Sequence, residues 1–441
     1  MKEKMNKITF TLLALLCSPF LYAQSHLYEQ INDKASAIEQ QVIEWRRDFH
    51  EHPELGNEET RTAGIIAKHL RNLGMEVKEE VAVTGVVGVL KGDKPGPMVA
   101  IRADMDGLPV TERTDVPFKS LVRTNYNGQE SGVMHACGHD SHVAILMGVA
   151  TVLTEMKADL QGTVKFIFQP AEEGLEDTQA ETWGAKQMVE EGVMKDVDAI
   201  FGLHINSQTP VGTIKYRPGP AMAAVDNLQI LVKGRQAHGA YPWSSVDPIV
   251  TASQIVMGLQ TIVSRNVKII ELPAIVTIGS IHGGVRHNII PEEVEMIGTI
   301  RTYSDPQQAM IHKRIGEIAT HIARSAGAEA EINIKKMYPV TSNDLNLTEK
   351  MLPTLERVAG DGNLWLHDPV TGAEDFSFFQ REKPGLFIFL GGMPKEGDPE
   401  TAPSHHTPDF YLDESGFVLG VKALSQLAVD YMAMESVGLT K

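Results

Sequence analysis

The sequence predicts an α/β protein in which a second, smaller domain is inserted into the first. Along most of the chain, strand patterns alternate with helix patterns, as in a sheet that is covered by helices on both faces. Between residues 225 and 337 the order changes to strand, helix, strand, strand, helix, strand, and the alternation resumes after it. With 441 residues, the chain is long enough to bury the cores of two domains.

The elements of the first domain follow from the spacing of apolar residues. Residues 28–50 have apolar side chains at three- and four-residue steps, and His52-Pro53 ends this helix. By the same reasoning we expect further helices at 60–73, from about 140, at 185–191, 347–359 and 414–434, and strands at 81–90, 98–103, 162–169, 199–204 and 385–390.

The inserted segment has its own complete set of elements. The sequence predicts strands at 227–233, 274–282, 293–302 and 329–335, and helices at 248–264 and 306–326. Asp247 is placed to cap the first of these helices, with Pro248 at its first position. The order βαββαβ is typical of a ferredoxin-like domain. We therefore expect an inserted domain at 225–337, and a first domain made of 24–224 and 338–441.

The N-terminus has the pattern of a secretory signal peptide. Lys2, Lys4 and Lys7 precede an apolar run from Ile8 to Phe20, and Ala23 provides a cleavage site. The run is too short to span a bilayer comfortably, although an uncleaved anchor is the alternative. We expect residues 1–23 to be removed and the mature protein to lie in the periplasm or outside the cell. No later segment is expected to cross a membrane.

The charge of the chain bounds its partners. The formal net charge is −17, so binding to nucleic acid or to an anionic membrane surface is not expected. A small molecule is the expected partner.

Residues 134–142 form the most informative motif. They read Met-His-Ala-Cys-Gly-His-Asp-Ser-His and contain Cys137, while the other cysteine, Cys17, lies in the predicted signal peptide. An exported protein with one remaining cysteine has no internal disulfide. A thiol flanked by three histidines and an aspartate is typical of a metal ligand, although a lone cysteine is more often a small buried apolar residue.

Other chemically active residues follow predicted strands. Asp104 and Asp106, the pair Glu172-Glu173, His204, and the pair His405-His406 all stand at or beyond strand ends. Ligands of open α/β sheets bind beyond the carboxyl ends of the strands, so we expect these groups to converge. Adjacent carboxylates repel each other unless a cation or a proton offsets them. Of the two adjacent histidines, we expect only one to be a ligand.

Ten segments, in order over nearly the whole mature chain, resemble the M20 metallopeptidases. The resemblance is to the amidohydrolase branch, which includes hippurate hydrolases, N-acyl-amino-acid amidohydrolases and plant auxin-conjugate hydrolases. The matching segments are Ile101–Pro109, Met134–His142, Gly162–Glu173, Gly184–Lys186, His238–Ala240, Asp247–Pro248, Asn288–Pro291, Gly298–Arg301, Glu374–Ser377 and His406–Pro408. One departure is a longer loop from Gly174 to Trp183.

The resemblance implies a mixed-sheet α/β catalytic domain of the phosphorylase/hydrolase type with an inserted lid domain that also forms a homodimer. It implies a site for two divalent metal ions, with zinc, manganese, cobalt and nickel as candidates. By motif, the ligands are Cys137, His139, Glu173, His204 and His406, with Cys137 bridging the two ions.

The resemblance also implies roles for five residues beyond the ligands. Glu172 is the general base, and Asp106 orients the site. His238 stabilises the oxyanion, often from the partner subunit, and Asn288 and Arg301 contact the substrate carboxylate.

The leading hypothesis is therefore metal-dependent hydrolysis of the amide bond of N-acyl or N-aroyl amino acids, or of small peptides. A carboxypeptidase or dipeptidase that uses the same site is the alternative within this class. Two other classes stay open: a thiol enzyme with Cys137 as its nucleophile, and a non-catalytic binding protein. Sensitivity to a chelator separates the metal enzyme from the thiol enzyme.

Overall fold

The structure, a computed structural model, describes residues 26–175, 180 and 182–439. The predicted signal peptide at 1–23 and part of the loop between Gly174 and Trp183 lie outside the described residues. The described chain divides into two units. The first holds 26–218, 343–367 and 379–439, and the second holds 219–342 and 368–378.

The strands are numbered in chain order. They are Glu76–Val81 (β1), Gly85–Lys91 (β2), Lys94–Asp104 (β3), Arg123–Tyr126 (β4), Gln129–Gly132 (β5), Gln161–Gln169 (β6), Ala199–Pro210 (β7), Ile214–Tyr216 (β8), Gly219–Met222 (β9), Ala224–Lys233 (β10), Ala237–His238 (β11), Ile275–His282 (β12), Ile289–Ile290 (β13), Glu293–Thr302 (β14), Glu329–Tyr338 (β15), Thr341–Asn343 (β16), Leu364–Leu366 (β17) and Gly385–Met393 (β18).

The helices are numbered in the same way. They are Glu39–Glu51 (α1), Thr60–Asn72 (α2), His139–Glu155 (α3), Gly184–Glu190 (α4), Pro248–Arg265 (α5), Asp305–Ser325 (α6), Leu345–Ala359 (α7), Phe376–Glu382 (α8) and Phe417–Leu439 (α9). Residues 26–37 are also helical, and short 3₁₀ turns cover Pro242–Ser244 and Glu414–Gly416.

The first unit is built on an eight-stranded mixed sheet in the order β1-β2-β6-β3-β7-β18-β8-β17. Its four central strands, β6, β3, β7 and β18, are parallel. Helix α3 is buried almost all round, which explains why its sequence is apolar on every face. The parallel centre brings the carboxyl ends of these strands to one edge, as the sequence predicted.

Three predicted elements of this unit were wrong in detail. The strand expected at 81–90 is a hairpin of β1 and β2, because Ala82 and Val83 adopt positive φ values of 50° and 83° and reverse the chain. Strand β7 does not end at residue 204 but continues to Pro210, since its second half still pairs with β18. The helix expected at 28–50 is interrupted by a turn at Ile38.

The second unit contains a four-stranded antiparallel sheet in the order β12-β14-β10-β15. With α5 after the first strand and α6 after the third, this is the predicted ferredoxin-like arrangement. Asp247 caps α5, as predicted, by accepting hydrogen bonds from the amides of Ile249 and Val250 at 2.9 and 3.2 Å. We expected the inserted segment at 225–337. The unit extends further, because residues 221–223 pair with Val370. The amide of Ala223 donates to the oxygen of Val370 at 3.2 Å, and the amide of Val370 donates to the oxygen of Ala221 at 3.0 Å.

One helix among the described residues is long and apolar enough to cross a bilayer, which the sequence reading had not anticipated. It lies within Glu414–Ser436, has a mean hydropathy of 1.3, and is 78% buried inside the protein. The core helix of a soluble protein gives the same pattern, because it is surrounded by other apolar elements.

Candidate metal centre

The candidate centre begins at the N-terminus of α3. Gly138, the residue before the helix, has a φ of 93°, a conformation that glycine adopts readily. A Cβ at this position would also lie 2.5 Å from Ile205 Cγ2. The tight, left-handed turn places Cys137 and His139 on either side of Gly138, and both side chains are buried.

Asp106 fixes the ring of His139. The Nδ1 atom of His139 lies 3.0 Å from the backbone oxygen of Asp106 and 3.1 Å from its Oδ1 atom, so Nδ1 carries the donated proton. The Nε2 atom of His139 is buried and has no hydrogen-bond partner among the residues that the structure describes. When a metal ion takes the place of a proton on Nε2, a histidine held in this way directs the lone pair of that nitrogen to the ion.

Cys137 and His204 face each other across the centre. The Nδ1 atom of His204 donates to the backbone oxygen of Ile205 at 2.6 Å, which leaves Nε2 as the free nitrogen, 3.3 Å from Cys137 Sγ. Ligands bound tetrahedrally at about 2.0–2.3 Å from a zinc ion lie roughly 3.3–3.8 Å from each other. The separation therefore fits two ligands of one ion.

Glu173 and His406 are in contact at the candidate centre. The Oε1 atom of Glu173 lies 3.0 Å from Nε2 of His406. The backbone of His406 has a positive φ of 62°, and its amide donates to the oxygen of Ala136 at 2.8 Å. The chain after β18 is thereby tied to the cysteine motif, and the ligand atoms of Cys137, His139 and Glu173 all lie within 4.8 Å of one another.

His405 also reaches the centre, but in a different role. Its Nε2 accepts a hydrogen bond from the amide of Ser207 at 3.3 Å, and its Nδ1 lies 3.7 Å from Cys137 Sγ. With Nε2 accepting, Nδ1 carries the proton and can donate to the sulfur. His405 is thus placed to hydrogen-bond the sulfur, which leaves His406 as the expected ligand of the pair.

The electrostatics of the pocket favour a cation. Burial raises the pKa of the Cys137 thiol well above its usual range, and the carboxylates of Glu173 and Glu172 raise it further. Without a cation the thiol stays protonated and is a poor nucleophile, which argues against a thiol enzyme. Burial alone would lower the pKa of His139, but Asp104 and Asp106 raise it to about 10. The donor set of one thiol, imidazoles and carboxylates fits a divalent metal ion.

A chain of buried polar groups behind the centre was missed as a set by the sequence reading. Asp104 accepts from Nδ1 of His142 at 2.5 Å and from Arg102 at 2.7 Å, and Nε2 of His142 accepts from the amide of Ile205 at 2.8 Å. These hydrogen bonds therefore fix the backbone of Ile205, next to His204. Arg102 and Asp104 in β3, and Asp106 just after it, recur at every second residue, and this two-residue period was the available signal.

A second group was also missed. It lies beneath the N-terminus of α3, where Asp140 contacts Arg46 Nε at 2.9 Å and His50 Nδ1 at 2.7 Å. All three side chains are buried. Because Arg46 and His50 lie on α1, these contacts tie that helix to the residue that follows His139.

Two carboxylates hold the turn that carries Glu172 and Glu173, each by accepting a hydrogen bond from a backbone amide of the turn. Asp106 Oδ2 accepts from the amide of Glu173 at 2.9 Å, and the carboxylate of Glu59 accepts from the amide of Ala171 at 2.8 Å. Burial raises the pKa of Glu59 to about 8, and the nearby charge of Asp106 contributes to this shift. Glu172 is itself buried, next to the ligand Glu173. No pattern in the sequence distinguished Glu59.

The remaining predicted residues lie in the second unit. Strands β11 and β13 place His238 opposite Ile289, and the amide of Gly239 donates to the oxygen of Asn288 at 2.8 Å. His238 and Asn288 are therefore neighbours. Arg301 is at the far end of β14 from Glu293, about 26 Å away at about 3.3 Å per residue. The amide of Gly234 donates to the oxygen of Glu292 at 2.7 Å, so the segments that carry His238 and Asn288 adjoin the Glu293 end of β14, opposite to Arg301.

Comparison with known proteins identifies the family of the chain. The model of peptidase family M20/M25/M40 matches residues 100–430. The chain is 40% identical to thermostable carboxypeptidase 2 of Saccharolobus solfataricus, over 92% of this chain and 99% of that protein. It is 38% identical to N-acetylcysteine deacetylase of Bacillus subtilis, over 89% and 97%.

A solved structure is similar over the same extent. It is the Bacillus subtilis YXEP protein, described as a dinuclear metal-binding peptidase of the M20 family. It matches with a TM-score of 0.76 and 35% identity, over 90% of this chain and 99% of that one.

Replacing Asp106 with alanine should weaken metal binding without unfolding the protein. The substitution removes the carboxylate, which is one of the two acceptors of the His139 ring and the acceptor of the Glu173 amide. Loss of such an orienting group lowers metal affinity about 10- to 100-fold. Competition between the metal-free protein and a chromophoric chelator measures the affinity. Asp115→Ala, at an exposed carboxylate, is the matched control. Equal affinities in the two variants would show that Asp106 does not orient the ligands.

Proposed function

Because the chain belongs to peptidase family M20/M25/M40, we propose that it hydrolyses the amide bond of N-acyl or N-aroyl amino acids, with small peptides as the next substrate class. The similarity to a protein named as an N-acetylcysteine deacetylase supports the first class. The similarity to a protein named as a carboxypeptidase supports the second.

The observation that carries this proposal is the placement of Glu172. It is buried beside Glu173, on a turn whose two flanking amides are both held by carboxylates. A general base must be fixed within reach of the water that it deprotonates. A binding protein needs the ligands but has no use for a second, rigidly held carboxylate next to them.

Two divalent ions are the proposed cofactors. The sulfur of Cys137 lies close to the potential ligands His139 and Glu173 and also, at 3.3 Å, to Nε2 of His204, so the thiolate would be available to both ions. The solved relative described as dinuclear supports the same number. His406 completes the proposed ligand set. A thiolate favours zinc, cobalt or nickel, while the carboxylate oxygen also suits manganese.

The residues of the chain divide the reaction among them. Bound divalent ions lower the pKa of a water molecule and polarise the substrate carbonyl. Glu172 accepts the proton of the attacking water and delivers it to the leaving amine. His238 supplies a hydrogen bond to the oxyanion, since its Nδ1 accepts from the amide of Ala240 at 2.9 Å and its exposed Nε2 carries the proton.

We further propose that the active form is a homodimer built through the second unit. Arg301 lies about 26 Å from Glu293 along β14, at about 3.3 Å per residue, and the segments that carry His238 and Asn288 adjoin the Glu293 end. An amino-acid-sized substrate is much shorter than this strand. If all three contact one substrate, two copies of the unit must contribute. Helix α5 also presents exposed apolar side chains, including Met257 at 71% and Val250 at 55% exposure, as an interface requires.

Export completes the proposal. The basic start, the apolar run and Ala23 support removal of residues 1–23 and a periplasmic or secreted location.

Replacing Glu172 with glutamine should abolish turnover and leave metal binding intact. An amide cannot accept the proton, so we expect kcat to fall by at least about 100-fold. The assay compares release of amino acid from N-acetyl, N-benzoyl and free-amino dipeptide substrates, with metal content measured in parallel. Glu349→Gln, at an exposed site, is the control. Near-normal turnover by Glu172→Gln would refute the assignment of Glu172 as the general base. A preference for free dipeptides would favour the peptidase alternative.

Two inactive variants should restore activity when they are mixed. The His238→Ala variant retains Glu172, and the Glu172→Gln variant retains His238. If His238 acts on the partner subunit, a mixed dimer therefore contains one complete active site. Random exchange of subunits should give about a quarter of the wild-type activity. Light scattering and a tag-capture assay confirm dimers and exchange. Mixed dimers without activity, or a monomeric wild-type enzyme, would refute the shared site.

A further inference from the structure

The turn that presents Glu172 has an unfavourable backbone conformation. Ala171 is fully buried and has a φ of 51°, in the left-handed region that residues other than glycine rarely adopt. The turn closes where the amide of Gly174 donates to the oxygen of Ala171 at 3.4 Å. Something outside the turn must hold Ala171 in this conformation, because the alanine itself does not favour it.

Glu59 provides that hold from another part of the chain. Its side chain is 0% exposed; Oε1 accepts from the amide of Ala171 at 2.8 Å, and Oε2 lies 2.5 Å from Thr84 Oγ1. Thr84 fixes the carboxyl group, and the carboxyl group fixes the turn. Gly56 packs against the same turn, since a Cβ there would lie 2.6 Å from the oxygen of Gly174.

The position of Glu59 in its own helix does not explain its burial. It is the N-cap residue of α2, but its side chain makes no capping hydrogen bond. Glu54 performs the capping instead, by accepting from the amides of Arg61 and Thr62 at 2.9 Å each. The Glu59 side chain is therefore directed into the interior for a purpose other than helix stability.

We propose that Glu59 is a positioning residue that fixes Glu172 through the backbone of Ala171. Glu59 and Asp106 then hold the amides on the two sides of Glu172, but they serve different ends. Asp106 also fixes the ligand His139, so it acts on metal binding. Glu59 instead sets the orientation of the Glu172 carboxylate. This inference rests on the proposed function, because Glu172 is the base only there.

The test compares Glu59→Gln with Glu59→Met. The two side chains have similar lengths and fill the same space, but only glutamine accepts a hydrogen bond from the Ala171 amide. Glutamine also matches the neutral acid, the main form at neutral pH when the pKa is about 8. We expect Glu59→Gln to keep kcat within about threefold, and Glu59→Met to lose about 10- to 100-fold in kcat with little change in KM.

Three further measurements separate positioning from a general loss of structure. The affinity for zinc and the zinc content should stay at wild-type values in both variants. Glu54→Ala should lower the thermal midpoint and leave kcat unchanged, because it removes only a helix cap. A crystal structure of Glu59→Met should show a changed φ at Ala171 and a displaced Glu172 carboxylate.

The inference is overturned if Glu59→Met keeps its kcat, if both variants lose activity equally, or if zinc is lost with the activity. Glu172→Gln, assayed on the same substrate, keeps this result distinct from the proposed function. An inactive Glu172→Gln with a fully active Glu59→Met rejects only the positioning role. An active Glu172→Gln rejects the base itself.

Discussion

The Asp106 carboxyl group is the contact on which the candidate centre depends. One of its oxygens fixes the ring of His139 at the start of α3, and the other accepts from the amide of Glu173 beyond β6. Since Asp106 follows β3, a single side chain connects three elements that are far apart in sequence. Hydrogen bonds from buried carboxylates of this kind set both the tautomer and the direction of a metal ligand. Together with the backbone oxygen of Asp106, this contact directs the other nitrogen of His139 toward the sulfur and carboxylate ligands.

The convergence of the site was predictable from the sequence, for a physical reason. Strands β6, β3, β7 and β18 are parallel, so the residues that follow them meet at one edge of the sheet. Apolar runs that end in Asp, Glu or His are visible without a structure. The adjacency of Cys137 and His139 to a helix N-terminus was visible in the same way, because Gly138 and the apolar run after it mark the start of α3.

The groups that hold the ligands were less accessible to prediction. Glu59 precedes a helix, and a glutamate at that position usually has a local role or faces solvent. Its contact with Ala171 joins residues 112 positions apart, and no periodicity in the sequence indicates such a pairing.

The distinction between His405 and His406 also needed coordinates, since it depends on which ring nitrogen of His405 accepts the hydrogen bond from the Ser207 amide. The hairpin at Ala82 and Val83 was hidden because apolar residues with positive φ values do not look like a turn.

The central claim is that Cys137 is a metal ligand and not a nucleophile or a packing residue. X-ray absorption of the zinc-loaded protein measures this directly. The account predicts a sulfur scatterer at about 2.3 Å from zinc, together with nitrogen and oxygen at about 2.0–2.2 Å, and the loss of that sulfur in Cys137→Ser. A first shell of nitrogen and oxygen alone in the wild-type protein would contradict it.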